Sequence, residues 1–268
     1  MIARCIGIFV VAAGLAGLLP PLARGAEIAP HRALYIMTLG SARSDSGVVD
    51  ANGTMDYEWG ETCDGWTIEQ RYRLQMGYAE NRDVDITSSF VTWESKDGLR
   101  YRFNQRETRN GELDQEIRGS AELDGPGKGG IARFTLPQQH TLKLAPGVLF
   151  PSAHTILLIN EASAGKTFLS RQVFDGAADE NAVQVSAVIS GKLGADPAAG
   201  RLGPLLDQPG WNVRLAFFPA DPTAEEPDYE LGMRLLDNGV STDMVIDYGD
   251  YSIRAKLVAI ESLGKPSC

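Results

Sequence analysis

DGWTIEQRYRL, residues 64 to 74, opens on a turn dipeptide and then alternates. Trp66, Ile68, Tyr72 and Leu74 fall on one face, and Thr67, Glu69, Arg71 and Arg73 on the other. A strand with one buried and one wet face has that period of two. The same alternation runs through Ala33–Leu39, Thr54–Trp59, Phe90–Glu94, Arg100–Phe103 and Glu112–Ile117. Among these stand Asn52-Gly53, Asp64-Gly65, Asp97-Gly98 and Asn110-Gly111. Such dipeptides favour tight hairpins because both central residues tolerate positive φ. The second half follows the same style. Lys166–Phe174 ends at Asp175-Gly176, and Ala182–Ser190, Trp211–Phe218 and Tyr229–Leu236 follow. Val240–Tyr248 and Tyr251–Ile260 come last, with Asn238-Gly239 as a further hairpin signal. About a dozen or more strands at this spacing predict one antiparallel meander, closed or nearly closed.

One segment breaks the alternation. Ser152–Ala164 (SAHTILLINEASA) follows Pro151 and stops at Gly165. It predicts a helix of about three turns, with Ser152 as N-cap and Gly165 as C-cap. A lone helix beside a long sheet packs on its curve or plugs its concave side. Gly194–Gly210 and Ala220–Pro227 read as Pro/Gly-rich loops, and neither marks a domain boundary.

Residues 1–25 read as a removable export leader. Arg4 precedes an apolar run from Ile6 to Leu19, Pro20 and Pro21 break it, and Ala23-Arg24-Gly25 supplies small residues for cleavage. The run is shorter than the roughly 18 residues a spanning helix needs. The expectation is a periplasmic protein with residues 26–268 as one domain and no transmembrane segment after cleavage. Removing Arg4 and Arg24 leaves 23 basic against 35 acidic side chains, a net charge of −12. Such a chain repels nucleic acid and anionic lipid at long range. Cys5 leaves with the leader, so only Cys63 and Cys268 remain. Two thiols in an oxidising compartment usually pair, and this pair would tie the C-terminus to an early strand and hold the meander closed.

The search for catalytic chemistry returns decoys. Asn160–Thr167 reads N-E-A-S-A-G-K-T, one residue short of a phosphate-binding loop, with Asn160 where the first glycine belongs. Helix-then-strand is also the reverse of what that loop needs. His31, His140 and His154 lie far apart without a metal-ligand partner at close spacing, so neither a metal nor a cofactor is expected. No G-x-S-x-G elbow and no Cys–His nucleophile pair is present. Asp221, Glu225, Glu226, Asp228 and Glu230 lack the pattern of a calcium loop and read as solvated, as do Asp243, Asp247 and Asp250. Trp59, Trp66, Trp93 and Trp211 sit on strands with Tyr57, Tyr72, Tyr101, Phe103, Phe217 and Phe218. They are either core packing or the lining of an apolar concavity.

Several strings in order carry a family resemblance. His31–Tyr35, Tyr57-Glu58-Trp59, Cys63–Thr67 and Glu69–Arg71 come first, then Phe90–Gly98 and Tyr101–Asn104. Phe150–Thr155, Val173–Gly176, Val213–Pro219, Pro227–Glu230, Asp237–Val240 and Asp247–Asp250 follow, before a last-position cysteine. Together they resemble the EipB family of alphaproteobacterial periplasmic proteins, with Ser152 where the family pattern has threonine. The resemblance implies a mainly β fold, an antiparallel β-spiral or open barrel of about 12–14 strands around one central helix. In outline that is similar to periplasmic lipoprotein carriers. It further implies a disulfide between Cys63 and Cys268, no catalytic residues, and a role in keeping the envelope intact under stress. A periplasmic tetratricopeptide-repeat partner is implied more weakly.

Two functional classes follow. The first is a non-enzymatic periplasmic protein supporting envelope integrity, holding a lipid-like or peptide ligand or a protein partner in its concave face. The alternative is an exported hydrolase acting on envelope glycans or lipids through an acid pair assembled in space.

Overall fold

The structure, a computed structural model, describes residues 26–79, 82–220 and 223–268. The expected leader and Cys5 lie outside them. Eight strands come first: β1 (His31–Ala42), β2 (Val48–Glu61), β3 (Gly65–Tyr78), β4 (Arg82–Ser95), β5 (Arg100–Arg109), β6 (Glu112–Leu123), β7 (Gly130–Leu136) and β8 (His140–Leu144). A helix, α1 (Pro151–Ser163), follows. Then come β9 (Phe168–Val173), β10 (Val183–Ile189), β11 (Gly210–Phe218), β12 (Tyr229–Leu236), β13 (Ser241–Asp247) and β14 (Tyr251–Ser262). A short helix, α2 (Pro197–Gly200), and a 3-10 turn at Pro204–Leu206 sit in the segment expected to be only loop.

All fourteen strands form one antiparallel sheet, and the first strand lies beside the last. Tyr35 of β1 faces Met55 of β2 on one flank and Leu257 of β14 on the other. The sheet's edges are therefore β8 and β9, the two strands that α1 connects. Leu149, ahead of the helix, bridges in parallel to Val173 of β9. Phe174 then tucks against Tyr101 and Phe103 of β5 and Phe134 of β7. The β9 edge thus curls over the inner face of β5–β7, so the sheet winds into a spiral.

Because neighbours run antiparallel, the turns collect at two ends. The β2–β3, β4–β5 and β12–β13 turns share one end with the starts and stops of β1 and β14. The β1–β2, β3–β4, β5–β6 and β13–β14 turns share the other. The first end is the floor of a cup and α1 lies across it. Ala153 packs on Gly98 in the β4–β5 turn, and Asn160 Oδ1 accepts from the Ala26 backbone N–H at 2.7 Å. Leu158, Ile159 and Ala162 join Trp59, Trp211 and Val185 in one buried cluster.

The helix starts one residue earlier than the sequence predicts. Pro151 takes the first helical position, where its missing N–H costs nothing, so Phe150 becomes the N-cap and offers no side-chain acceptor. Ser152 is not the cap. Its N–H and that of Ala153 are instead taken by the Glu94 carboxylate of β4, at 2.7 and 2.8 Å. The last helical residue is Ser163, and Gly165 follows the cap with φ +83°. Gly165 N–H bonds the Ala162 carbonyl and Lys166 N–H that of Glu161, a Schellman ending.

Asn52-Gly53 is the one expected turn that is not a turn. It lies inside β2, paired with Thr38 and Met37. A Cβ at Gly53 would stand 2.2 Å from the Arg73 carbonyl of β3, so the glycine permits a close approach of backbones.

Cys63, in the β2–β3 turn, is bonded to Cys268, with Cα atoms 5.7 Å apart. The tail beyond β14 reaches it across the start of β1, where Leu263 N–H bonds Pro30 and Lys265 pairs with Glu27, both at 2.9 Å. The bond staples β14, β1 and β2 at the floor, strands already hydrogen-bonded in the middle of the sheet. It does not hold the edges closed.

Candidate functional site

The cup encloses a cavity of about 600 Å³, within the range of small-molecule sites. Its lining concentrates two residue types. Of six methionines, the five among the described residues (Met37, Met55, Met76, Met233 and Met244) all face it. So do seven of the eight tyrosines, Tyr101 being the exception. The alternation puts them there. Positions 35 and 37, 55 and 57, 72, 76 and 78, and 229 and 233 keep one parity within each strand, and register aligns the strands. Met37 and Met244 both face Ala255, one from each flank of β14.

The lining is layered from floor to mouth. At the floor, Trp59 is 3% exposed, beside Leu158 of α1 and Leu235 of β12. Tyr35 hydroxyl donates to the Ser241 carbonyl at 2.8 Å. The methionines form the middle belt. At the mouth stand Tyr72, Tyr78, Tyr248 and Tyr251 with Glu107 and Arg109. Tyr72 hydroxyl donates to Glu107 at 3.2 Å, and Arg109 donates to the same carboxylate at 3.2 Å. Burial, with Glu107 adding to it, pushes the Tyr72 phenol up. Phe217, Tyr229, Tyr248 and Tyr251 continue around the rim as a ladder of rings, with centroids 4.4, 6.0 and 5.0 Å apart in turn.

The aromatic residues marked in the sequence divide between the two readings. Trp59, Tyr57 and Tyr72 line the cavity. Trp211, Tyr101 and Phe103 are solid core. Trp66 packs edge-on to Trp59 under Lys96, and Trp93 lies beneath Arg100 and Arg102. Phe217 stacks on Tyr229. The methionines and Tyr35, Tyr78, Tyr229, Tyr248 and Tyr251 join Trp59, Tyr57 and Tyr72 in the lining, and their i, i+2 spacing is the sequence signal for it.

The remaining candidates stay apart. His31 is fully buried, with Nδ1 2.8 Å from the Ala29 carbonyl, and burial lowers its pKa. His140 stacks on Phe134 and meets Asp179 at 2.7 Å. His154 lies in α1, where burial and then Arg171 lower it to about 4. Among the described residues no three His, Cys, Asp or Glu side chains gather as a metal site. Asn160–Ser163 ends α1 and Gly165 follows the cap, so the phosphate-loop look-alike is a helix exit.

Two carboxylic acids sit outside the cavity, Glu94 deeply buried and Asp175 partly so. Glu94 is 1% exposed, and burial, offset by the backbone N–H groups it accepts, raises it to about 7. Burial likewise raises Asp175, which accepts from Ala177 N–H at 2.9 Å. Both spend their oxygens on backbone donors. Glu107 is the one carboxylate in the cavity lining among the described residues. No helix among them is long and apolar enough to cross a membrane.

The chain is similar to known proteins over nearly its whole length. The family model described as EipB-like matches residues 22–264. Cell envelope integrity protein EipB of Brucella abortus (strain 2308) is 33% identical over 253 residues, 93% of this chain and 89% of that protein. The crystal structure of a β-barrel-like protein of domain of unknown function DUF1849, also from Brucella abortus, matches with a TM-score of 0.83 at 30% identity. That match covers 89% of this chain and all of that one. With the spiral, the plugging helix and the match from residue 22 to 264 in agreement, the chain belongs to the EipB-like family.

Proposed function

We propose that this chain is a non-enzymatic periplasmic protein that supports cell-envelope integrity by holding a lipid-like ligand in its cup. The observation that carries the reading is the gathering of five methionines and seven tyrosines around one cavity. Methionine is unbranched and polarisable, and it recurs where a surface must fit apolar partners of varied shape. A close-packed core has no use for a space of this size. The name of the Brucella abortus relative supports the envelope role.

The test is native mass spectrometry and solvent extraction of protein purified from its own periplasm, beside a Met233→Trp variant that fills the cavity. Wild type should release apolar small molecules and the variant should not. Empty cavities in every preparation, with no uptake of acyl chains, would overturn the reading.

A further inference from the structure

The mouth of the cup differs from its interior in charge, and the difference has one sign. Among the described side chains, two guanidiniums stand at the mouth turns, each already between two carboxylates. Arg43, after β1, lies 3.3 Å from Asp45 and 3.7 Å from Asp250. Arg109, at the end of β5, lies 3.2 Å from Glu107 and 2.9 Å from Asp114. Neither cation is left over for an anionic guest. Asp247, in the same β13–β14 hairpin, and Asp228, leading into β12, add negative charge there.

Aromatic faces form the second, independent feature. Tyr248 is 45% exposed, stacks on Tyr251 and tilts toward Tyr229, and it lines the cavity. An aromatic face carries negative quadrupolar charge and attracts ammonium groups, quaternary ones in particular. Carboxylates draw a cation in, and tyrosine faces hold it even when it cannot donate a hydrogen bond. Below them the wall turns to methionine and leucine, which suits an alkyl tail.

We infer that the mouth selects an amphiphile with a cationic head, its ammonium lodged among Tyr229, Tyr248 and Tyr251 and its tail along the methionine belt. This rests on the ligand-holding reading above and names the class of ligand. The shared chemistry is an alkyl-borne ammonium, whether from a lipid headgroup or from a soluble amphiphile.

The experiment is calorimetric titration of the full mature chain with three probes of equal tail, each below its micelle concentration at neutral pH. They are dodecyltrimethylammonium, dodecyl maltoside and dodecanoate. The ammonium probe should bind roughly ten-fold tighter than dodecanoate, the advantage shrinking with added salt. Tyr248→Leu, at an exposed site, should weaken the ammonium probe several-fold and the maltoside far less. Equal binding of all three, or tighter binding of dodecanoate, overturns the head-group inference while the apolar cavity stands. A Tyr248→Leu loss shared by all three probes also overturns it. No binding of any probe overturns both readings. Transfer of labelled phosphatidylcholine out of vesicles assigns the head to a lipid, and uptake of the soluble ammonium alone assigns it to a free amphiphile. Either result sustains the inference.

Discussion

Replacing Glu94 by Gln should change how stability depends on pH. Glu94 is buried at the floor and caps α1 through two backbone N–H groups. Two forces oppose each other there. Loss of water disfavours the carboxylate, whereas the N–H bonds and the helix N-terminus favour it. Burial wins, moving the group from 4.5 to about 7, a change worth about 3 kcal/mol. The sign follows from the raised pKa. Below 4.5 the acid is neutral folded or unfolded, so the contribution is fully present; it is lost as pH rises through about 7, where the folded chain must ionise a buried group. Glutamine carries no charge, and its amide faces one N–H badly, a roughly constant cost of about 1–3 kcal/mol. The assay is urea unfolding of both proteins, disulfide intact, across that pH range. His31, His154 and Asp175 titrate in both and cancel in the difference. The variant should gain on wild type by about 3 kcal/mol between the two ends of the window. A flat difference curve would refute the reasoning, because it would mean the helix terminus holds the carboxylate charged.

Two further outcomes concern the frame. Cys63→Ser or Cys268→Ser should lower the thermal midpoint and open the tail beyond Ser262 to protease; the bond spans 205 residues, and chain entropy puts its worth at up to about 5 kcal/mol. Non-reducing peptide mapping that finds both thiols free in protein exported to an oxidising compartment would contradict this. Gly53→Ala should destabilise by about 1–3 kcal/mol in urea unfolding, since the new Cβ meets the Arg73 carbonyl. An alanine variant as stable as wild type would show that β2 and β3 part without cost there.

Alternation and turn dipeptides made most strands legible, and Tyr229–Leu236 matches β12 end to end. What they left out has physical causes. β7 and β8 are short, one flanked by Gly129-Gly130 and the other preceded by Pro137, so neither shows a long alternating run. The first half of β4 reads as polar because its inner face carries Ser88 and only two apolar residues, Val84 and Ile86. The cap of α1 comes from Glu94, 58 residues away, where local rules offered Ser152. The site was half legible. Tyr35-x-Met37, Met55-x-Tyr57-x-Trp59 and Tyr72-x-Leu74-x-Met76-x-Tyr78 mark inward faces. Periodicity says which way a side chain points, but not whether the space it enters is filled. Tyr101 and Phe103 alternate just as well and meet Phe134, Phe150 and Phe174 in solid core. Hollow and solid are separated by curvature, which the β1–β14 pairing sets across the whole chain.

Stability in this cup falls from floor to mouth. The disulfide, the Glu94 cap, the Asn160–Ala26 bond and the Asn238 contacts to Leu205 and Val240 all lie at the floor. The mouth has hairpin turns tied by exposed ion pairs, each worth about 0–1 kcal/mol, and half-exposed tyrosines. Local opening follows the cheapest contacts, so the passage into the cavity is at the mouth, and α1 need not leave its seat. The same gradient places the rigid surfaces, Trp59 and Leu158, where a tail would end. On the ligand-holding reading proposed above, it places adaptable methionines where tails would differ in shape, and the charged and aromatic groups where a head would stop. A site that tolerates varied tails has to discriminate at its rim, because apolar contact distinguishes chains by only about 1 kcal/mol per methylene. In this protein the rim carries Tyr72, Tyr78, Tyr229, Tyr248 and Tyr251 beside Glu107.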